Sequence, residues 1–173
     1  MANENSHTRK TTQRVPWRDG ERRFAVDAPS IPWETAESVL DIRQCYLRYD
    51  SDARTVCIVA RETHDRTCGC TSWDILSEGQ SDDEDMHAEE ISEWQFTELY
   101  ARRDKHDRVS MTRGTFRNNG VPFEVTVVDH KDADRFAFAK WFGTVDRTPA
   151  FPPWIDASQC VTDVRFSLRA WAD

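Results

Sequence analysis

The chain has 173 residues, 38% of them hydrophobic, which suits one domain with a full core. Its formal net charge of −8 argues against sequence-independent duplex binding, where a basic face supplies the affinity. It contains no apolar run of about 18 residues, so no membrane helix is expected, and its opening stretch MANENSHTRKTTQR lacks the apolar segment of a secretory signal. The expectation is a cytoplasmic protein.

Residues 1–16 are polar, basic and without periodicity, and read as a disordered tail. Residues 17–173 read as one domain. A first strand is predicted over 18–27. Within it Asp19, Glu21 and Arg23 alternate with Gly20, Arg22 and Phe24, which puts two carboxylates and one guanidinium on a single face. Such a face can hold a divalent cation through its acids and a phosphate through its base. A solvated edge strand is the plainer alternative. Pro29, Pro32 and Trp33 break the strand, and 34–40 reads as a helical turn.

Two strands follow over 42–49 and 54–61, joined by the turn Asp50-Ser51-Asp52, and a further one over 67–75. Residues 77–86, SEGQSDDEDM, read as a flexible acidic loop. The run Asp82-Asp83-Glu84-Asp85 lacks the alternating ligands and central glycine of a calcium loop. Ser92-Glu93-Trp94-Gln95 is a capping box, with Ile91 and Phe96 at the two staple positions. It opens a helix over 93–104 with Phe96, Leu99, Tyr100 and Arg103 on one stripe.

The runs 108–116 and 121–129 flank Asn119-Gly120, a hairpin signal. A last strand over 135–142 sets Phe136, Phe138, Lys140 and Phe142 against Ala137, Ala139 and Trp141. Phe151-Pro152-Pro153-Trp154 starts a turn, and 163–171 reads as a terminal helix. The five cysteines are odd in number, and Cys68-Gly69-Cys70 is too short for a CxxC site, so free thiols are expected. The five histidines show neither HxH nor HxxxH spacing. The class is α+β, mainly antiparallel β: about eight hairpin-linked strands that suggest a closed or partly open β-barrel with a few flanking helices.

The order of these features resembles the CYTH domain, the triphosphate tunnel metalloenzyme fold. The opening acid-rich strand of that family is matched by Asp19-Gly20-Glu21-Arg22-Arg23-Phe24-Ala25-Val26. Ile42-Arg43-Gln44-Cys45-Tyr46-Leu47 matches its second strand, Arg54-Thr55-Val56 the entry to its third, and Glu90-Ile91 the strand end before its helix. Thr112-Arg113 and Phe123-Glu124-Val125 match its hairpin. Pro152-Pro153-Trp154-Ile155, Val161-Thr162 and Arg165-Phe166 match its end. The resemblance covers about 18–168 and implies an eight-stranded tunnel with an ionic interior. Family enzymes hydrolyse triphosphates or cyclise ATP with Mg²⁺ or Mn²⁺.

The chain departs from that pattern. The family's arginine pair falls on Cys57 and Val59, a lysine on Trp73, and the final glutamate pair on Lys140 and Phe142, while Glu90 alone remains of the pair before the helix. Asp19, Glu21 and Glu124 remain as candidate metal ligands. Arg23, Arg113 and Arg165 remain as candidate phosphate contacts, with Arg61 a weaker one. The aromatics suggest a drier interior. The resemblance therefore implies a protein that binds a triphosphate-bearing anion (nucleotide or polyphosphate) with weak or no hydrolysis. An active metal-dependent triphosphatase and a non-catalytic interaction module are the alternatives. A plainer outcome is that the surviving charges pair with one another as structural salt bridges.

Overall fold

Nine antiparallel strands and one α-helix make up the described fold. The computed structural model describes residues 21–48, 57–78, 87–129, 136–142 and 150–160. The strands are β1 (Glu21–Val26), β2 (Ser38–Arg48), β3 (Cys57–Asp65), β4 (Cys70–Glu78), β5 (His87–Glu90), β6 (Arg108–Asn118), β7 (Val121–Asp129), β8 (Phe136–Phe142) and β9 (Ile155–Cys160). They form one sheet in the order β5-β4-β3-β2-β6-β7-β8-β1-β9. The antiparallel class expected from the hairpins holds. The count is nine rather than eight, and among the described residues the sheet is open, with β5 and β9 at its edges.

The two strands to which the residue pattern gave no range, β5 and β9, lie at those edges, where among the described residues one row of backbone groups has no ladder partner and the side-chain pattern is least constrained. His87–Glu90 has almost no apolar content, and Ile155–Cys160 follows a proline-rich turn. Segment 34–40 also differs from expectation. A 3-10 turn occupies Trp33–Thr35, and Ser38, Val39 and Leu40 already pair with Thr115, Gly114 and Arg113 of β6. Pairing with a neighbouring strand overrides a weak local helix preference there.

The tail 1–16, Asp19, the turn at Asp50-Ser51-Asp52, the acidic run 82–85, and the predicted terminal helix with Arg165 lie outside the described residues. So do the side chains of Glu21, Cys57 and Phe142. Strand β4 runs through Ser77 and Glu78, the first two residues of the segment read as loop.

The turns follow their residue chemistry. Asn119 (φ 51°) and Gly120 (φ 81°) both take left-handed backbone, as a two-residue hairpin turn requires, and Asn118 pairs directly with Val121. Helix α1 (Glu93–Ala101) carries the expected capping box. Ser92 Oγ accepts from the Gln95 backbone N–H at 3.2 Å, and Gln95 Oε1 accepts from the Ser92 backbone N–H at 2.8 Å. Ile91 and Phe96 are both buried in one cluster with Cys45 and Ala60, which fixes the helix against β2 and β3.

Strand alternation gives the sheet two distinct faces. The outer face carries Cys45 and Ala60 under α1. Further along it carries Phe24, Val125, Ala139 and Trp141 under Trp33, Phe151 and Trp154. The inner face buries Ile42, Tyr46, Val59, Leu76, Met111, Val128 and Phe138 as a separate cluster. Strand β7 is buried on both faces from Val125 to Val128. In β6 the buried side switches along the strand: Val109 and Met111 are buried inward, Gly114 and Phe116 outward. A Cβ at Gly114 would stand 2.8 Å from Trp33 Cζ3, so the bare backbone there is what lets the indole pack against the strand.

The cysteine expectation is corrected. Gly69 (φ 70°) turns the β3–β4 connection back on itself, and Cys68 and Cys70 form a disulfide at the exposed tip. Among the described residues Cys45 is the free thiol, and burial pushes it above the usual thiol range. No described helix is long and apolar enough to cross a membrane.

Candidate functional site

Residues directly opposite one another in antiparallel strands project to the same side of the sheet. The register pairs Arg23 with Lys140, Lys140 with Glu124, and Glu124 with Thr115. One step along the strands, Arg113 pairs with Thr126, and Thr126 with Phe138. These side chains share the inner face of β6, β7, β8 and β1. Arg23 and Arg113, about 90 residues apart in sequence, are thereby placed on one surface.

The contacts within this group are specific. Arg113 Nε lies 3.4 Å from Glu124 Oε1, and both side chains are partly exposed, at 25% and 31%. The Nε–H is not aligned for a hydrogen bond, so this donor is buried without a hydrogen-bond partner among the described residues. Arg113 Nη2 also approaches Met111 Sδ at 3.9 Å. The Arg23 guanidinium sits 4.8 Å above the Phe138 ring, a cation–π contact that fixes its orientation. Thr126 is 1% exposed, and its hydroxyl too has no hydrogen-bond partner among the described residues. Two buried donors without hydrogen bonds on one face are a cost that a ligand oxygen would relieve.

Arg61 is placed elsewhere. It faces inward from β3, but Asp74 of β4 holds it through Nε–Oδ1 at 3.1 Å and Nη2–Oδ2 at 2.8 Å. For Arg61 the structural ion pair is the arrangement found. For Arg113 it is found in looser form. The position given to Trp73 in the family pattern is also corrected. Asp74 pairs with Arg61 on the inner face, so Trp73 projects outward, donating from Nε1 to Glu62 Oε2 at 3.0 Å and packing beside α1. A one-residue slip in a strand exchanges the two faces, and that slip moved an aromatic into the expected interior. Glu90 pairs with Asp74 and so belongs to the inner-face row, at the β5 edge. Val59 and Phe138 do face inward, as expected.

Lys140 and Thr126 are the site residues that sequence reasoning passed over. In the family pattern Lys140 stands where the family has an acid. The alternation of β8 already set it on the face of Phe138, and the spacing of Glu124 and Thr126 set those two together.

The donor set also bears on a divalent cation. Among the described residues no group of three or more His, Cys, Asp or Glu is placed to hold a metal ion. Glu124 is the one candidate metal ligand whose side chain is described. Its charged neighbours among the described residues of this face include Arg113 at 3.4 Å and Lys140, opposite it in the register. A carboxylate flanked by two cations does not make a Mg²⁺ site by itself, since hard cations need several oxygen donors and no competing positive charge.

No protein-family model matches the chain, and no curated protein does. Solved structures do. A crystal structure of the inorganic triphosphatase NE1496 aligns with a TM-score of 0.57 at 21% identity, over 87% of this chain and 91% of that one. The chain has the fold of an inorganic triphosphatase. A second crystal structure of NE1496, described as a hypothetical protein, aligns with a TM-score of 0.55 over 78% of this chain and 84% of that one, also at 21% identity. The resemblance to the triphosphate tunnel family read from the motif order is thus borne out as a resemblance of fold.

Proposed function

We propose that the inner face of β6, β7, β8 and β1 binds a triphosphate-bearing anion, a nucleotide or polyphosphate, with weak or no hydrolysis. The observation that carries this reading is that the register brings cations from three strands onto that one face. Arg23, Lys140 and Arg113 share it with Glu124, which lies beside Arg113, and with the register position of Glu21. Arginine suits the task because its planar fork binds phosphate oxygens bidentately and stays charged when partly buried. Lys140 adds a point charge that needs no fixed geometry. The fold shared with a triphosphatase supports a triphosphate over other anions.

In this reading the sheet curls so that its inner face lines a closed or nearly closed tunnel. Ile42, Met111, Val128 and Phe138 are buried on that side although α1 packs on the other, as curling would produce. Arg165 is proposed as a further phosphate contact. Arg61 becomes one only if the ligand displaces Asp74. Asp19, Glu21 and Glu124 would be the ligands of any Mg²⁺ or Mn²⁺, which would supply charge neutralisation at the phosphates. No step is assigned to it, because the described donors do not form its site.

Hydrolysis depends on charges positioned around the transferring phosphoryl group. The Cys57, Val59 and Phe142 substitutions remove several such charges. Calorimetric titration of wild type, Arg23→Ala and Arg113→Ala with tripolyphosphate and ATP tests the binding, and phosphate release with Mg²⁺ or Mn²⁺ tests the turnover. Saturable binding weakened in both variants, with little release, is expected. A turnover number in the ordinary enzyme range of ~1–10³ s⁻¹, abolished by Glu21→Ala, would establish an active triphosphatase instead.

A further inference from the structure

The Cys68–Cys70 bridge holds nothing together that is not already held. Strands β3 and β4 pair continuously from Cys57 opposite Glu78 to Asp65 opposite Cys70, and the turn is closed by Gly69 N–H donating to Asp65 O at 2.8 Å. A disulfide stabilises chiefly through the loop it closes, and the gain grows with loop length. This loop contains a single intervening residue, Gly69. Both cysteines are exposed at the end of a long hairpin, where a small thiol reaches either sulfur. Exposed disulfides are generally the labile, exchanging ones. The Cα atoms are 5.3 Å apart, within the ordinary range for a bridge.

The two sulfurs are not equivalent. The Cys70 backbone N–H donates to Cys68 Sγ at 3.2 Å, so negative charge on Cys68 is stabilised by the turn itself. That hydrogen bond marks Cys68 as the sulfur that leaves and Cys70 as the sulfur to be attacked. A soft metal would need further donors, and the described residues place no third His, Cys, Asp or Glu for it.

We propose that Cys68-Gly69-Cys70 is a thiol–disulfide exchange site whose partners are low-molecular-weight thiols and their disulfides. In the reducing direction an external thiolate attacks Cys70 Sγ. The Cys68–Cys70 bond breaks, a mixed disulfide forms on Cys70, and Cys68 leaves as a thiolate that takes a proton from water. A second thiolate attacks the external sulfur of the mixed disulfide and releases Cys70. The protein disulfide gains two electrons and two external thiols become one disulfide. The oxidising direction is the reverse, with Cys68 resolving the adduct on Cys70.

The test equilibrates the full-length protein in glutathione mixtures of varied reduced-to-oxidised ratio. Acid quenching and alkylation follow, and the peptide bearing both cysteines is read by mass spectrometry. The peptide is expected to pass from bridged to doubly alkylated in one two-electron transition. In Cys68→Ser a glutathione adduct on Cys70 is expected to accumulate that wild type does not retain. A peptide that stays bridged, or stays alkylated, at every ratio overturns the proposal. So does Cys68→Ser without an adduct.

Discussion

Arg113 and Glu124, on adjacent strands of one hairpin, stand 3.4 Å apart at the edge of the cationic inner face. The pair is close but not aligned for a hydrogen bond, so Glu124 holds Arg113 loosely. Glu124→Gln removes that hold and also removes a negative charge from beside the proposed anion. Tripolyphosphate affinity is expected to rise by up to about fivefold, the scale of a partly exposed ion pair at ~1 kcal/mol. A metal-dependent site would respond in the opposite direction, because the same change deletes one of its ligands. Binding isotherms of wild type and Glu124→Gln at matched salt decide between these.

Gly114 lies beneath the Trp33 indole, where an added Cβ would meet Trp33 Cζ3 at 2.8 Å and Phe116 Cε2 at 2.9 Å. Gly114→Ala must push the indole or the Phe116 ring off the sheet. Overpacking of this kind costs about 1–3 kcal/mol. Chemical denaturation should show a lower midpoint. An unchanged midpoint would mean that the 28–36 segment is not seated on β6 as described.

On the outer face Asp41 accepts from Arg66 at Nε and Nη2, both at 2.7 Å, and from Thr112 at 3.1 Å. This network ties the β3–β4 turn to β2 and β6. The Arg66 hydrogen bonds hold the Asp41 carboxyl below its ordinary range, and the Arg43 hydrogen bond does the same for Glu62. A depressed folded-state pKa contributes stability above the unfolded value and loses it as pH falls through the folded value. Stability should therefore decline with acid below about pH 4, where these carboxylates protonate in the unfolded chain. Asp41→Asn should be slightly less stable at neutral pH, by up to ~1 kcal/mol since the pair is partly exposed. It should also show a shallower acid limb in denaturation midpoints measured from pH 7 to 3.

Much of the architecture was legible because it is written in local chemistry. Ser92 and Gln95 announce a helix start, Asn119-Gly120 a hairpin, and the alternation of 136–142 a two-faced strand. Each is decided within a few residues. The edges were not legible, because β5 and β9 have little apolar pattern to report burial. The site was legible in part. Arg23, Glu124 and Arg113 came from motif order, and the register places them on one face. Lys140 was visible but read as a lost acid rather than a gained base. A one-residue slip puts Trp73 on the wrong face, and the β3–β4 ladder, which pairs Trp73 with Glu62, sets the register. The Cys68–Cys70 bridge depends on the left-handed backbone of Gly69, which the sequence permits but does not require.

The central claim is that Arg23, Lys140 and Arg113 supply the positive charge that holds a triphosphate. Its most direct test is calorimetric titration with tripolyphosphate in EDTA and again with excess Mg²⁺, for wild type and for the Arg23→Ala/Lys140→Ala double variant. The account predicts saturable binding by wild type in EDTA, little strengthened by Mg²⁺, and its loss in the double variant with the fold intact by circular dichroism. Binding that appears only with Mg²⁺, or that survives the loss of both cations, would contradict it.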